Sequence, residues 1–320
     1  MRCVDLVVER VVRYLEMTQP SALRPLQRWF RSLRPSSVIP SLIPPLVAVG
    51  VARSLETEVL WWAAPVYLGA AVSLHIGTNV LNDYYDFLHG VDHPGRVDTD
   101  HVLLNGIVTP RFMVLTGHLY FAAAVLLGLA IGAVRGPAFV LVGFCAAACA
   151  YFYTGDRVSL KYLALGDVVV FLLAGPGLVG LGVWALVGEV PLSAVLSSLP
   201  IGSAAAAILH GNNMRDSTSD REAGVRTIAN LLSRGSAFRL LVVLVLFPHA
   251  AVVLMIAFGV LHPAVAVALL SLPLALRVLR RASGARDEHA LAFLPRGCAV
   301  LYVAFTTPYA LAIMMSGVQI

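Results

Sequence analysis

Charge is what this chain has least of. Only 13% of its 320 residues are Asp, Glu, Lys or Arg, while 58% are hydrophobic, and the mean hydropathy is +0.81. A soluble domain carries about a quarter charged residues, so this composition excludes a globule that faces water on every side. Lysine is scarcer still: of 23 basic residues, Lys161 is the single lysine. The four cysteines (Cys3, Cys145, Cys149, Cys298) form no CxxC pair and no Cys/His cluster, which removes iron–sulfur and disulfide readings. Cys145 and Cys149 fall in an apolar run, as small packing residues do. No nucleic-acid partner is expected.

What the chain has in abundance is apolar length. Proline, glycine and charge clusters divide it into nine apolar segments near 36–55, 59–82, 108–133, 137–154, 163–186, 192–213, 236–259, 262–281 and 290–316. Each is long enough to cross a bilayer as a helix. Pro40, Pro44, Pro45, Pro176 and Pro273 lie inside these segments, where membrane helices tolerate proline better than soluble ones. Ahead of them, Asp5, Glu9 and Glu16 interrupt any secretory h-region. Val4, Val8, Val11, Val12 and Leu15 recur at helical spacing with Arg10 and Arg13 between them. That predicts an amphipathic helix lying on the membrane surface, with a solvated leader as the alternative. The expected organisation is an interfacial segment over 1–33 and a membrane domain over 34–320.

With the N-terminus in the cytoplasm, 21 of the 23 basic residues fall on the inner side, and only Arg53 and Arg135 fall outside. The positive-inside rule therefore predicts a cell-membrane protein with an inner N-terminus and an outer C-terminus. All eleven aspartates share the inner side, while Glu56, Glu58 and Glu189 lie outside. The rule does not require acidic asymmetry, so the aspartates point to chemistry at that end.

Two acidic motifs sit there. Asn79-Val-Leu-Asn82-Asp83-Tyr-Tyr-Asp86 continues into Asp92, and His210-Gly-Asn212-Asn213-Met-Arg215-Asp216 continues through Asp220 to Gly224. Asp83 and Asp86, and again Asp216 and Asp220, stand one helical turn apart. Like charges so placed at a membrane surface repel and are poorly solvated. A divalent cation resolves both problems, and Mg2+ suits best because it combines one or two carboxylates with water and phosphate oxygens. Asn82 precedes Asp86 by four residues as Asn212 precedes Asp216. This doubling, at 79–92 and 212–224, suggests an internal pseudo-repeat whose halves face one site. With Lys161, Arg215 and Arg226 nearby, the two clusters can bind a diphosphate. A solvated loop of balanced charge is the plain alternative for one such cluster, and a poor one for two matched copies. His89, His93 and His101 fit no zinc-finger spacing and read as loop histidines.

A third stretch runs Tyr151-Phe-Tyr153-Thr-Gly155-Asp156 to Lys161-Tyr-Leu-Ala-Leu-Gly166-Asp167. In a chain that otherwise uses arginine, a lysine there suggests a compact point-charge donor; a chance interfacial lysine is the alternative.

Together with Leu33-Arg34-Pro35, these motifs resemble the UbiA superfamily of intramembrane prenyltransferases. The branch they resemble most is MenA, which prenylates 1,4-dihydroxy-2-naphthoate, with its animal relative that makes menaquinone-4. The resemblance implies an all-α integral membrane fold, a nine-helix bundle around a central cavity capped on the cytoplasmic side. It implies Mg2+ on Asp83, Asp86, Asp216 and Asp220, and a diphosphate site drawing on Asn79, Asn82, Arg34, Lys161, Arg215, Asn213 and Tyr153. Asp86, Asp216, Lys161 and Asp92 are the expected catalytic residues, with Asp92, Asp98 and Asp100 as open choices for orienting or deprotonating the acceptor. The expected partners are an isoprenoid diphosphate, an aromatic acceptor and the lipid bilayer. Two departures stand out: Asp156 replaces a second glycine of Tyr-Thr-Gly-Gly, and 92–101 diverges.

Two rival functions use the same features. A UbiA-type terpene cyclase would ionise the diphosphate and trap the cation on a cavity alkene. A transporter or membrane scaffold would place its ionisable groups near the bilayer midplane, whereas the carboxylates here gather at the inner helix ends.

Overall fold

The computed structural model describes residues 24–33, 35–55, 57–89, 91, 102–155, 159–285 and 287–319. The valine-patterned helix expected over 4–15 lies outside them. The first described element is α1 (Pro25–Ser32), whose Gln27 side chain accepts a hydrogen bond from the Arg24 N–H at 3.0 Å. Leu26 and Phe30 are exposed on it beside Arg28 and Arg31, the make-up of an interfacial helix.

The remaining helices are α2 (Pro35–Ser54), α3 (Ala63–His89), α4 (Pro110–Arg135), α5 (Pro137–Thr154), α6 (Gly166–Val187), α7 (Leu192–Arg215), the short α8 (Ser217–Glu222) and α9 (Ile228–Leu231), α10 (Arg234–Ala257), α11 (Pro263–Ser283) and α12 (Leu294–Ser316). No strand occurs among the described residues, which carry only two isolated backbone bridges. Eight helices are long and apolar enough to cross a bilayer: α3 to α7, α10, α11, and α12 with the turn before it. Eight of the nine expected spans are matched in this way among the described residues; the first, 36–55, falls on α2, which has 20 residues and three internal prolines and is not among the eight. The expected boundaries hold closely. The helix of the second apolar segment runs on past residue 82 to His89 and carries the first acidic motif on its last turns, as the one-turn spacing of Asp83 and Asp86 implies.

Interior prolines free backbone carbonyls that lipid cannot satisfy, and neighbouring helices take them up. Pro44 leaves the Pro40 carbonyl without its usual donor, and Tyr302 Oη of α12 donates to it at 2.9 Å. Pro248 does the same to Leu244, and Ser203 Oγ of α7 donates there at 2.9 Å. Pro176 sits in a π turn (Leu173–Gly177) that interrupts α6. There the backbones of α6 and α7 touch: a Cβ on Gly175 would lie 2.9 Å from Gly202 Cα, so glycine is required by the crossing itself.

Helix α7 is the centre of the bundle, with 61% of its apolar stretch buried against 17% for α5. The main core joins Ile43, Val47 and Val51 of α2 to Ile201 of α7 and to Tyr302, Phe305 and Tyr309 of α12. A separate cluster of Leu33, Val80, Phe87, Leu103 and Met113 packs the acidic end. At the opposite end stand the two arginines that the charge count left outside. Arg135 donates to the Ala185 and Leu186 carbonyls at 2.9 and 2.6 Å, closing the C-terminus of α6. Arg53 donates to Met314 near the end of α12 at 2.9 Å. Both cap helix C-termini, where cations are favoured.

Candidate active site

The first motif occupies the last turns of α3. Asn82 Nδ2 donates to Asp86 Oδ2 at 2.9 Å, one turn away. Lys161 arrives from a distant segment and donates to both Asn82 Oδ1 and Asp86 Oδ1, each at 2.6 Å. Thr154 Oγ1 also donates to Asn82 Oδ1, at 3.2 Å. Lysine and aspartate are nearly enclosed, with side chains 13% and 12% exposed. Such a charge pair is held by its geometry and by its extra hydrogen bonds. A turn earlier, Asn79 Nδ2 lies 2.9 Å from His75 Nε2. Asp83 is half-buried.

The second motif differs in construction. Its helix does not run straight on from Asp216 to Asp220. α7 ends at Arg215, Asp216 is the joint, and α8 restarts at Ser217. The Asp220 N–H still donates to the Asp216 carbonyl at 2.8 Å, so the one-turn spacing survives the break. Arg215 clasps the neighbouring Asp216 in a fork, Nε to Oδ1 at 2.6 Å and Nη2 to Oδ2 at 2.7 Å. Arg215, Asp216 and Asp220 are all buried. The chain then turns at Gly224, whose φ of 74° lies in the left-handed region that suits glycine. Asn230 fixes the return: its Nδ2 donates to Val225 O at 2.8 Å, and its amide forms a capping box with Thr227. Arg226 meets the other half through its backbone, pairing with Leu163, while its side chain is exposed.

Asn213 Nδ2 donates to Asp167 Oδ1 at 3.2 Å. Tyr153 lies within the fields of both Asp86 and Asp167, with its ring near Gly166. Sequence reasoning gave Asp167 no role and left His210, one turn before Asn213, either as a support behind the ligands or as a helix-end polar group; the structure pairs the two, with His210 Nδ1 2.6 Å from Asp167 Oδ2. An aspartate at the head of an apolar run was the available signal. Arg34, Asp92, Asp98, Asp100, Asp156, His93 and His101 lie outside the described residues.

Among the described residues no three His, Cys, Asp or Glu side chains form a metal-binding group. The donors come instead as two carboxylate pairs, each with a cation already against one member. That set suits an ion shared with phosphate oxygens, because Mg2+ takes one or two carboxylates and keeps positions for other ligands. It does not suit an ion caged by protein alone.

Among the described residues, eight helices long and apolar enough to cross a bilayer, with paired aspartates at one end, define an all-α integral membrane protein. Residues 41–315 match the UbiA prenyltransferase family, and the chain belongs to it. A Drosophila melanogaster relative, "UbiA prenyltransferase domain-containing protein 1 homolog", is 31% identical over 90% of this chain and 79% of its own. A solved digeranylgeranylglyceryl phosphate synthase superposes with a TM-score of 0.62 at 12% identity, over 91% of this chain and 99% of its own. A UbiA homologue from Archaeoglobus fulgidus bound to GPP and Mg2+ superposes with a TM-score of 0.59 at 17% identity, over 90% of this chain and 99% of its own.

Proposed function

We propose that this prenyltransferase carries a prenyl chain from an isoprenoid diphosphate to an aromatic acceptor, 1,4-dihydroxy-2-naphthoate, in menaquinone biosynthesis, and requires Mg2+. The observation that carries the reading is the meeting of Lys161 with Asn82 and Asp86 at 2.6 Å, in a chain whose second acidic pair is clasped by Arg215. Asp83, Asp86, Asp216 and Asp220 would hold the metal. When bound, Mg2+ would neutralise the diphosphate and make it a better leaving group. Lys161 and Arg215, with Arg34, would contact the diphosphate oxygens as charge builds on them. Asn79, Asn82, Asn213 and Tyr153 would orient it. An allylic carbocation then develops on the prenyl chain, and the electron-rich ring attacks it. The apolar bundle keeps water from the cation, and Asp92, outside the described residues, would orient or deprotonate the acceptor hydroxyl. A MenA-type reaction also releases the acceptor's carboxylate as carbon dioxide.

The charge asymmetry supports a cytoplasmic site in the cell membrane, with 1–33 as an interfacial segment and 34–320 as the catalytic membrane domain. The A. fulgidus homologue carries GPP and Mg2+, which supports the donor and the metal. The acceptor rests on motif resemblance, and a glyceryl phosphate synthase shares the fold, so the test is competitive. Purified enzyme, Mg2+ and geranylgeranyl diphosphate are offered 1,4-dihydroxy-2-naphthoate, 4-hydroxybenzoate and geranylgeranylglyceryl phosphate together. Prenylated naphthoate is the expected main product by mass spectrometry. Prenylated benzoate or a diether lipid would replace the acceptor, and a cyclic hydrocarbon formed without acceptor would make the enzyme a cyclase.

A further inference from the structure

The two acidic motifs come from different helices, and the stretch Leu160–Asp167 reaches both. At its start Lys161 sits on Asn82 and Asp86. In its middle Leu163 bridges Arg226, and the Ala164 N–H donates to the Arg226 carbonyl at 2.9 Å. Ala164 has φ 58°, the one non-glycine residue with positive φ among those described. A side chain resists that conformation, so surrounding contacts must hold it.

At its end Asp167 enters a buried network. One carboxylate oxygen takes the Asn213 amide and the other faces His210 Nδ1, while His210 Nε2 lies 2.9 Å from the Ala237 carbonyl. His210 is 0% exposed and Asp167 6%. Both ring nitrogens thus face an oxygen, which holds the imidazole in one orientation between Asp167 and the Ala237 carbonyl. Asn213 gives one of its two N–H donors to Asp167, which sets the plane of its amide and leaves the oxygen and the second N–H to meet a ligand.

We propose that Asp167 and His210 are positioning residues: they fix the rotamer of Asn213 and tie the Lys161-bearing stretch to the second motif, holding both halves in register for one diphosphate. This rests on the diphosphate reading above.

Two substitutions at one position separate positioning from packing. In His210→Asn the amide nitrogen stands near the lost Nδ1 and can still meet Asp167. In His210→Gln it stands near the lost Nε2 and keeps only the Ala237 contact. Binding of a non-reactive prenyl thiolodiphosphate with Mn2+, read by Mn2+ resonance, is compared with the thermal midpoint in detergent. We expect His210→Gln and Asp167→Asn to weaken binding on the order of 10–100-fold, as losses behind a metal site do. His210→Asn should recover most of that loss, although both His210 variants melt lower. Equal binding by the two, or midpoints that fall while affinity holds, would overturn the proposal. If His210→Gln fails to fold, Asp167→Asn against wild type decides by the same readout. Asp86→Ala and Asp216→Ala are run alongside. If they also bind normally, the diphosphate reading itself fails; if they lose binding while the Asp167 and His210 variants do not, only this inference does.

Discussion

The two acidic motifs repeat one spacing, Asn followed by Asp four residues later, yet they are built differently. In the first the helix is continuous through Asp86, and the counter-ion Lys161 comes from 75 residues away. In the second the helix breaks at Asp216, and the counter-ion is the adjacent Arg215. The charge balance of the first half thus depends on where another part of the chain lies, while that of the second is supplied by the adjacent residue. A repeated motif shows which ligands recur; it does not show how their charges are balanced.

The largest expected effect tests whether the halves form one site. Asp86→Ala and Asp216→Ala should each lower turnover on the order of 100-fold or more while the protein stays folded in detergent. Near-normal activity of either at low Mg2+ would leave the two motifs independent. Next, Lys161→Arg keeps the charge but replaces a point donor bridging two oxygens with a planar fork. It should reduce kcat/KM by roughly tenfold, and kinetics like wild type would make Lys161 a generic cation. Arginine outside the two halves gives the contrast. Arg135→Ala removes a charged donor from two carbonyls at the far end of α6. It should cost about 1.5–3 kcal/mol of stability and leave KM for the diphosphate unchanged; a raised KM would mean that the far end acts on the site. The smallest effect is Ser203→Ala, which strips the donor from the Leu244 carbonyl freed by Pro248. It should cost about 1 kcal/mol, seen as a lower midpoint with unchanged kinetics.

Much of this was legible in advance. The apolar runs, the paired aspartates and the lone lysine follow from composition and spacing, because crossing lipid and holding a divalent ion each demand a residue pattern along the chain. The break at Asp216 was not legible, since the residues Asn-Met-Arg-Asp-Ser carry no glycine or proline to mark it. The continuation of α3 through Asp83 and Asp86 was legible from their one-turn spacing, and the helix ends at His89.

By itself, the sequence determined a membrane bundle with its aspartates gathered at one end, because solvation in lipid is decided residue by residue. Only the tertiary structure decided which groups neutralise which. Lys161 meets Asp86, Asp167 meets His210 and Asn213, and Tyr302 meets the carbonyl that Pro44 leaves free. These partners are far apart in the chain, and a buried polar group takes whichever partner the packing of helices brings within hydrogen-bond reach.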